Sequence, residues 1–151
     1  MIRYAYHDTS FGIITVGWED NAVILLKIGK AAPSASSPSV LSELAAAQLQ
    51  EYFDGRRQEF TFPCRLRGTE FQMAVWEALS RIPYGETRTY GQIAAAIGKP
   101  KAARAVGQAA NKNPIWIAIP CHRVVGRNHS LTGYAGGLNL KQKLLDLEQH
   151  T

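Results

Sequence analysis

The chain has 151 residues, 46% of them apolar, and a net charge of +5. This length makes one ordinary domain or two small ones, with enough apolar content for a packed core. No apolar run reaches the length of a membrane span, the opening Met1-Ile2-Arg3-Tyr4-Ala5-Tyr6-His7 lacks signal-peptide form, and two distant cysteines, Cys64 and Cys121, argue against a zinc cage or a disulfide scaffold. A reducing, cytoplasmic setting is the expectation.

The charge is uneven. Residues 1–66 hold six Lys/Arg against seven Asp/Glu, and residues 67–151 hold eleven against five. A basic half suggests an anionic partner, nucleic acid first, although an ordinary solvated basic surface has the same composition.

In chain order, Arg3–Tyr6, Gly12–Trp18 and Ala22–Ile28 read as strands, with Glu19-Asp20-Asn21 as the turn of an antiparallel hairpin. Ala31–Ser39 is a small-residue loop with two prolines, expected to be mobile. Val40–Phe53 reads as a helix with Ser39 as N-cap, and Leu41, Leu44, Ala45, Gln48, Leu49 and Tyr52 form its inward stripe. Gln58–Phe62 is a candidate returning strand before Pro63, and Cys64 reads as a structural thiol.

Beyond Arg67-Gly68 the pattern becomes helical. Thr69 and Gln72 form a capping box ahead of Phe71, Val75, Trp76, Leu79 and Ile82, which keep helical spacing. Thr89 and Gln92 form a second box, opening a short helix that ends at Gly98. Pro100 suits the first turn of a further helix, Ala102–Lys112, with Ala103, Val106 and Ala110 inward and Arg104 and Gln108 on another face. Two short helices with a tight connection make a helix-turn-helix candidate. Many helical hairpins share that pattern, and the basic Lys99, Lys101, Arg104 and Lys112 favour the DNA-binding version.

Asn113-Pro114 ends that helix. The apolar run Ile115–Ile119 leads into Pro120-Cys121-His122-Arg123-Val124-Val125-Gly126. Proline lacks an N–H, so a plain ladder strand is not expected; a buried segment ending in a sharp turn is. An imidazole beside a thiol is one way to activate a nucleophile, while a buried structural thiol is the commoner fate of a free cysteine. The dipeptide alone leaves both open. Arg127–Thr132 reads as a polar loop, Gly133-Tyr134-Ala135-Gly136-Gly137 as a segment permitting close backbone approach, and Leu138–Gln149 as a last helix with Leu140, Leu144 and Leu147 inward and Glu148 near its end. The expected fold is α+β: a small antiparallel sheet plus helix over residues 1–66, and a mostly helical region with a winged-helix-like helix-turn-helix over residues 67–151.

Pro120-Cys121-His122-Arg123-Val124, Tyr134 with Gly136-Gly137, Arg104-Ala105-Val106-Gly107 and Asn113-Pro114 together resemble the O6-alkylguanine-DNA alkyltransferases. The likeness covers residues 69–150; residues 1–66 match only in general character, as the family's variable, ribonuclease-H-like N-terminal domain. The resemblance implies direct-reversal repair, with irreversible transfer of an O6-alkyl group from guanine in duplex DNA to Cys121. It implies His122 as the base, acting through a bound water, Glu148 as the carboxylate orienting it, and Asn113 as the hinge asparagine. It implies Tyr90 as the residue assisting base rotation and donating to the departing guanine, and Arg104 as the finger filling the vacated stack. The recognition helix would enter from the minor-groove side, where little sequence is read. Tyr134, Ala135 and Gly136 would line the base pocket, and Lys99, Lys101 and Arg127 are phosphate contacts by charge.

Two departures stand out. Ala135 occupies a position where some members have serine, so one hydroxyl contact to the purine is lost. Residues 1–63 lack the cysteines through which some members bind zinc, so no metal and no cofactor are expected. The expected form is a monomer in solution, associated with the nucleoid and open to cooperative binding on DNA. Two other readings compete: a non-repairing protein that recognises alkylated bases, disfavoured by the presence of Cys121, and a Cys-His hydrolase, which leaves the basic half unexplained.

Overall fold

A computed structural model describes residues 1–31 and 36–151. The centre of the Ala31–Ser39 stretch therefore lies outside the described residues. The chain divides into two units, Met1–Leu66 with Pro114–Trp116, and Arg67–Asn113 with Ile117–Thr151.

In the first unit, β1 (Arg3–Thr9), β2 (Gly12–Glu19) and β3 (Ala22–Ile28) form an antiparallel meander in that order. Glu19 pairs with Ala22, leaving Asp20-Asn21 as a two-residue turn with Asp20 at φ 55°. Strand β1 runs three residues beyond the expected Tyr6, because β2 supplies partners down to Thr9↔Gly12. Ile14, Val16 and Trp18 alternate along β2 and are buried. Thr15, of the opposite parity, is buried as well; its hydroxyl donates to the Gly29 carbonyl and accepts from the Ala31 N–H.

Helix α1 (Val40–Phe53) packs on all three strands. Ser39 caps it as expected, and Ser42 completes the box. The buried stripe is Ser42, Ala45, Gln48, Leu49 and Tyr52, whereas Leu44 is 41% exposed. Ser42 takes the inward place because its hydroxyl serves both the cap and the His7 imidazole, 3.0 Å away. Gln58–Phe62 is not a strand. One of its backbone donors goes to a side chain rather than to a strand: the Thr61 N–H donates to Gln48 Oε1. Cys64, an exposed residue, forms an isolated parallel bridge to Val23, and its thiol donates to the Phe62 carbonyl. A second bridge joins β3 to the residues ahead of the cysteine motif, with the Leu26 N–H donating to the Pro114 carbonyl and the Trp116 N–H to the Leu26 carbonyl.

In the second unit, α2 (Glu70–Ser80), α3 (Tyr90–Ala96) and α4 (Ala103–Asn111) pack on one another. Both expected capping boxes are formed, Thr69 with Gln72 and Thr89 with Gln92. Gly98 at φ 76° ends α3 in the left-handed conformation. Pro100 lies outside α4, at the second position of a turn closed by the Ala102 N–H on the Lys99 carbonyl, and the helix starts after it. Val75, Trp76, Leu79, Ile93, Ala94 and Val106 form the core. The Trp76 indole N–H donates to the Ala109 carbonyl at 2.9 Å, tying α2 to α4. A two-residue parallel pair, β4 (Arg88–Thr89) with β5 (Val124–Val125), was too short to read from sequence. Helix α5 (Leu138–Gln149) closes the unit as expected. Among the described residues no helix is long and apolar enough to cross a membrane.

Trp76→Phe removes the indole N–H that donates to the Ala109 carbonyl and puts a smaller ring in the core. It is expected to lower stability by about 1–3 kcal/mol in urea denaturation, with the midpoint shifted and the slope unchanged.

Candidate active site and nucleic-acid interface

The reactive segment begins with Ile117 at φ 73°, a conformation unfavourable for a β-branched residue and held by its burial. Pro120 follows at φ −80°, ψ 65°, and the Cys121 N–H reaches back to the Ile119 carbonyl at 2.7 Å. This is an inverse γ-turn, which a proline's fixed φ suits. A single 3-10 turn, Cys121–Arg123, then leads into β5. The sharp turn expected at Pro120 is thus present, and it holds the sulfur of a residue only 5% exposed.

Asn113, one residue beyond the C-cap of α4, points its amide into this turn. Its Nδ2 donates to the Ile119 carbonyl at 2.8 Å and to Cys121 Sγ at 3.2 Å. Burial pushes the Cys121 thiol up to about 11, against the opposing pull of the Asn113 donor and the Lys141 charge. The resting sulfur is therefore a protonated thiol at neutral pH.

His122 is fully buried, and its Nε2 lies 2.6 Å from Glu148 Oε2. Burial holds the imidazole below 6.5, outweighing the Glu148 carboxylate, so the ring is neutral at pH 7. With its proton on Nε2 toward Glu148, the ring carries its lone pair on Nδ1. Glu148 accepts three further hydrogen bonds: Arg123 Nε on Oε1 at 2.8 Å, Arg123 Nη2 on Oε2 at 3.0 Å, and the Gly85 N–H on Oε1 at 3.2 Å. Burial works against the carboxylate, but the bonds from His122 and Arg123 bring its pKa down to about 2. Arg123 also donates Nη1 to the Ile82 carbonyl at 2.8 Å. Cys121, His122 and Asn113 are brought together as the sequence suggests, and Glu148 joins them from α5.

Tyr90, the first residue of α3, donates its hydroxyl to the Thr132 carbonyl at 2.9 Å and to the Gly133 carbonyl at 3.4 Å. Tyr134 is buried, and its phenol interacts with the Cys121 thiol; burial and that neighbour push it well above 10. Ala135 and Gly136 form the turn after it, closed by the Gly137 N–H on the Tyr134 carbonyl.

Arg104 and Gln108 lie together on the exposed face of α4. Lys101, Lys112 and Arg127 are also exposed, while the Lys99 ammonium sits 5.6 Å from the centre of the Phe71 ring. The arrangement is a thiol, a neutral base with a fixed tautomer, a buried carboxylate and a phenol donor in one unit, beside an exposed basic helix.

Two site residues were missed in the sequence reading. Arg123 stands inside the quoted motif, yet only the fold shows that it is buried against Glu148. Lys141, between the leucines of α5, is fully buried. Its spacing of three and seven from Leu144 and Glu148 put it on their face, and that periodicity was a usable signal.

Residues 70–150 match the family described as 6-O-methylguanine DNA methyltransferase, DNA binding domain. The methylated-DNA–protein-cysteine methyltransferase of Methanosarcina acetivorans is 60% identical over 104 residues, covering 69% of this chain and 67% of that protein. That of Mycolicibacterium paratuberculosis is 47% identical over 155 residues, covering 99% and 93%. A crystal structure of Mycobacterium tuberculosis OGT in complex with DNA superposes with a TM-score of 0.89 at 45% identity, covering 97% of this chain and 92% of that one. A family match over more than half of the chain, joined to this near full-length likeness, places the motif and its surroundings in one lineage, and the chain belongs to the methylated-DNA–protein-cysteine methyltransferases.

Proposed function

We propose that this chain repairs O6-alkylguanine in duplex DNA by moving the alkyl group to Cys121. The observation that carries the reading is the buried Cys121 thiol set beside the neutral His122–Glu148–Arg123 network. His122 Nδ1 takes the thiol proton, through a water as the family resemblance implies. The sulfur attacks the alkyl carbon, the S–C bond forms, and the C–O6 bond breaks. Guanine leaves with the bonding pair and Tyr90 donates to it, because a purine anion leaves poorly unless stabilised. Arg123 and Gly85 keep Glu148 ionised and in place, so the developing imidazolium is paired as it forms.

The target atom is inaccessible within a stacked duplex, so the nucleotide is rotated out. Arg104, exposed on α4, fills the gap, and Lys101 and Arg127 meet phosphates. Lys99 joins them by charge, resting on the Phe71 ring. Tyr134, Ala135 and Gly136 line the base pocket, and Asn113 couples α4 to the thiol. The M. tuberculosis relative crystallised with DNA supports the same partner here. The thioether product resists hydrolysis, so each molecule acts once. It works as a monomer in the cytoplasm, on the nucleoid.

Intact mass after incubation with a duplex carrying one O6-methylguanine is expected to rise by one methyl, mapped to the Cys121 peptide and absent in Cys121→Ala. Lesion binding without mass gain would oppose the reading. The single-turnover rate is expected to fall as pH drops through the His122 pKa, which lies below 6.5, since only the neutral ring accepts a proton. His122→Ala removes that base and costs about 10²–10⁴-fold in rate. Alkylated protein is expected to be less stable by about 1–3 kcal/mol, because added bulk enters a packed site; an unchanged melting temperature contradicts this.

A further inference from the structure

Two side chains hold the same pair of carbonyls beside the thiol. Lys141 Nζ donates to Thr132 O at 3.0 Å and to Gly133 O at 3.3 Å. The Tyr90 hydroxyl reaches the same two oxygens at 2.9 and 3.4 Å. The ammonium also lies 5.8 Å from the centre of the Tyr90 ring. Each carbonyl oxygen has two lone pairs and accepts both donors, but a phenol has one hydrogen. It cannot hold these carbonyls and donate to a departing purine at once. An ammonium has three hydrogens and no such conflict.

The residue after these carbonyls is Tyr134, whose phenol interacts with the Cys121 thiol. Gly133 stands at φ 51°, with Asn111 and the Tyr90 hydroxyl close against it, so displacement of its carbonyl moves the next residue. Burying an uncompensated ammonium is costly, and Lys141 is fully buried. No carboxylate lies within ion-pair distance of it among the described residues. Its ammonium instead donates to the Thr132 and Gly133 carbonyls.

We propose that Lys141 is a positioning residue that keeps the Thr132–Tyr134 segment in place while the Tyr90 hydroxyl leaves it to serve the departing guanine. This rests on the role of Tyr90 proposed above. The groups facing the ammonium are Tyr90 from α3, and Cys121 and His122 from the 3-10 turn. Burial lowers the Lys141 pKa to about 8, opposed by Cys121. Burial pushes Cys121 up to about 11 and raises Tyr90, and it lowers His122. A loss of function centred near pH 8 therefore reports the lysine: its charged form is present below that pH and lost above it.

The test uses the full chain and an O6-methylguanine duplex under single-turnover conditions. Wild type, Lys141→Met and Lys141→Arg are followed from pH 7 to 9.5, with binding to unmodified duplex measured alongside. The expected result is that Lys141→Met binds unmodified duplex like wild type but transfers the methyl about 10–100-fold more slowly at saturating duplex. Wild type slows above pH about 8, and Lys141→Arg, which stays charged, restores transfer and does not slow. Equal saturated rates for Lys141→Met and wild type overturn the proposal. So does a wild-type rate that stays flat through pH 9, a readout that needs no variant to fold. An alkaline loss retained in Lys141→Arg also overturns it. Wild type that gains no methyl at Cys121 at any pH would instead defeat the reading of the site as a whole.

Discussion

The Glu148 carboxylate is the point on which the site depends. It is nearly inaccessible, and it ends a chain of contacts that starts at α5 and reaches the reactive turn. A carboxylate in that position is tolerable only if its lone pairs are occupied by good donors. Arg123 supplies two, His122 one and the Gly85 backbone a fourth. The arginine matters as much as the histidine. If His122 were the only partner, the short contact could be relieved by moving the proton onto the carboxylate. The bidentate guanidinium, anchored at its other end by the Ile82 carbonyl, keeps Glu148 an anion and so keeps the imidazole in one tautomer.

The same burial that makes this network necessary sets the chemistry of the thiol. Cys121 is buried and its pKa is raised, so the protein does not display a reactive thiolate at rest. The Asn113 donor and the Lys141 charge pull the other way without prevailing. In the proposed reaction, activation is tied to a base that is neutral and already oriented, and sulfur charge develops only as a proton leaves. That suits a reagent used once, since an exposed thiolate would be consumed by other electrophiles.

The loop carbonyls of Thr132 and Gly133 show how the interior is shared between tasks. Tyr90 and Lys141 come from different helices and converge on one short segment. One side chain is a neutral donor with a proposed second duty; the other is a buried cation with none. The doubled hydrogen bonding gives the segment a holder even when one donor is occupied elsewhere.

Much was legible from local pattern alone. The three strands, the N-cap at Ser39, the capping boxes at Thr69 and Thr89, and the spans of α1 and α5 follow from alternation, 3.6-residue periodicity and cap chemistry, all effects of near neighbours in sequence. The Pro120-Cys121-His122 turn was also legible, because proline restricts its own backbone whatever surrounds it. Other features were decided by partners distant in the chain. Gln58–Phe62 has strand-like residues, but the Thr61 N–H donates to the Gln48 side chain rather than to a strand. Ser42 replaces Leu44 on the inner stripe because His7 and the cap both need its hydroxyl. Strands β4 and β5 are two residues long and exist only as each other's partner. Arg123 and Lys141 carry charges that sequence habit assigns to the surface, and only the carboxylate and carbonyls gathered around them make their burial affordable. Local sequence determined most of the helices, the three-stranded meander and the turn that holds Cys121; the tertiary structure decided which charges go inside, because a buried charge is stable only where distant parts of the chain bring its partners to it.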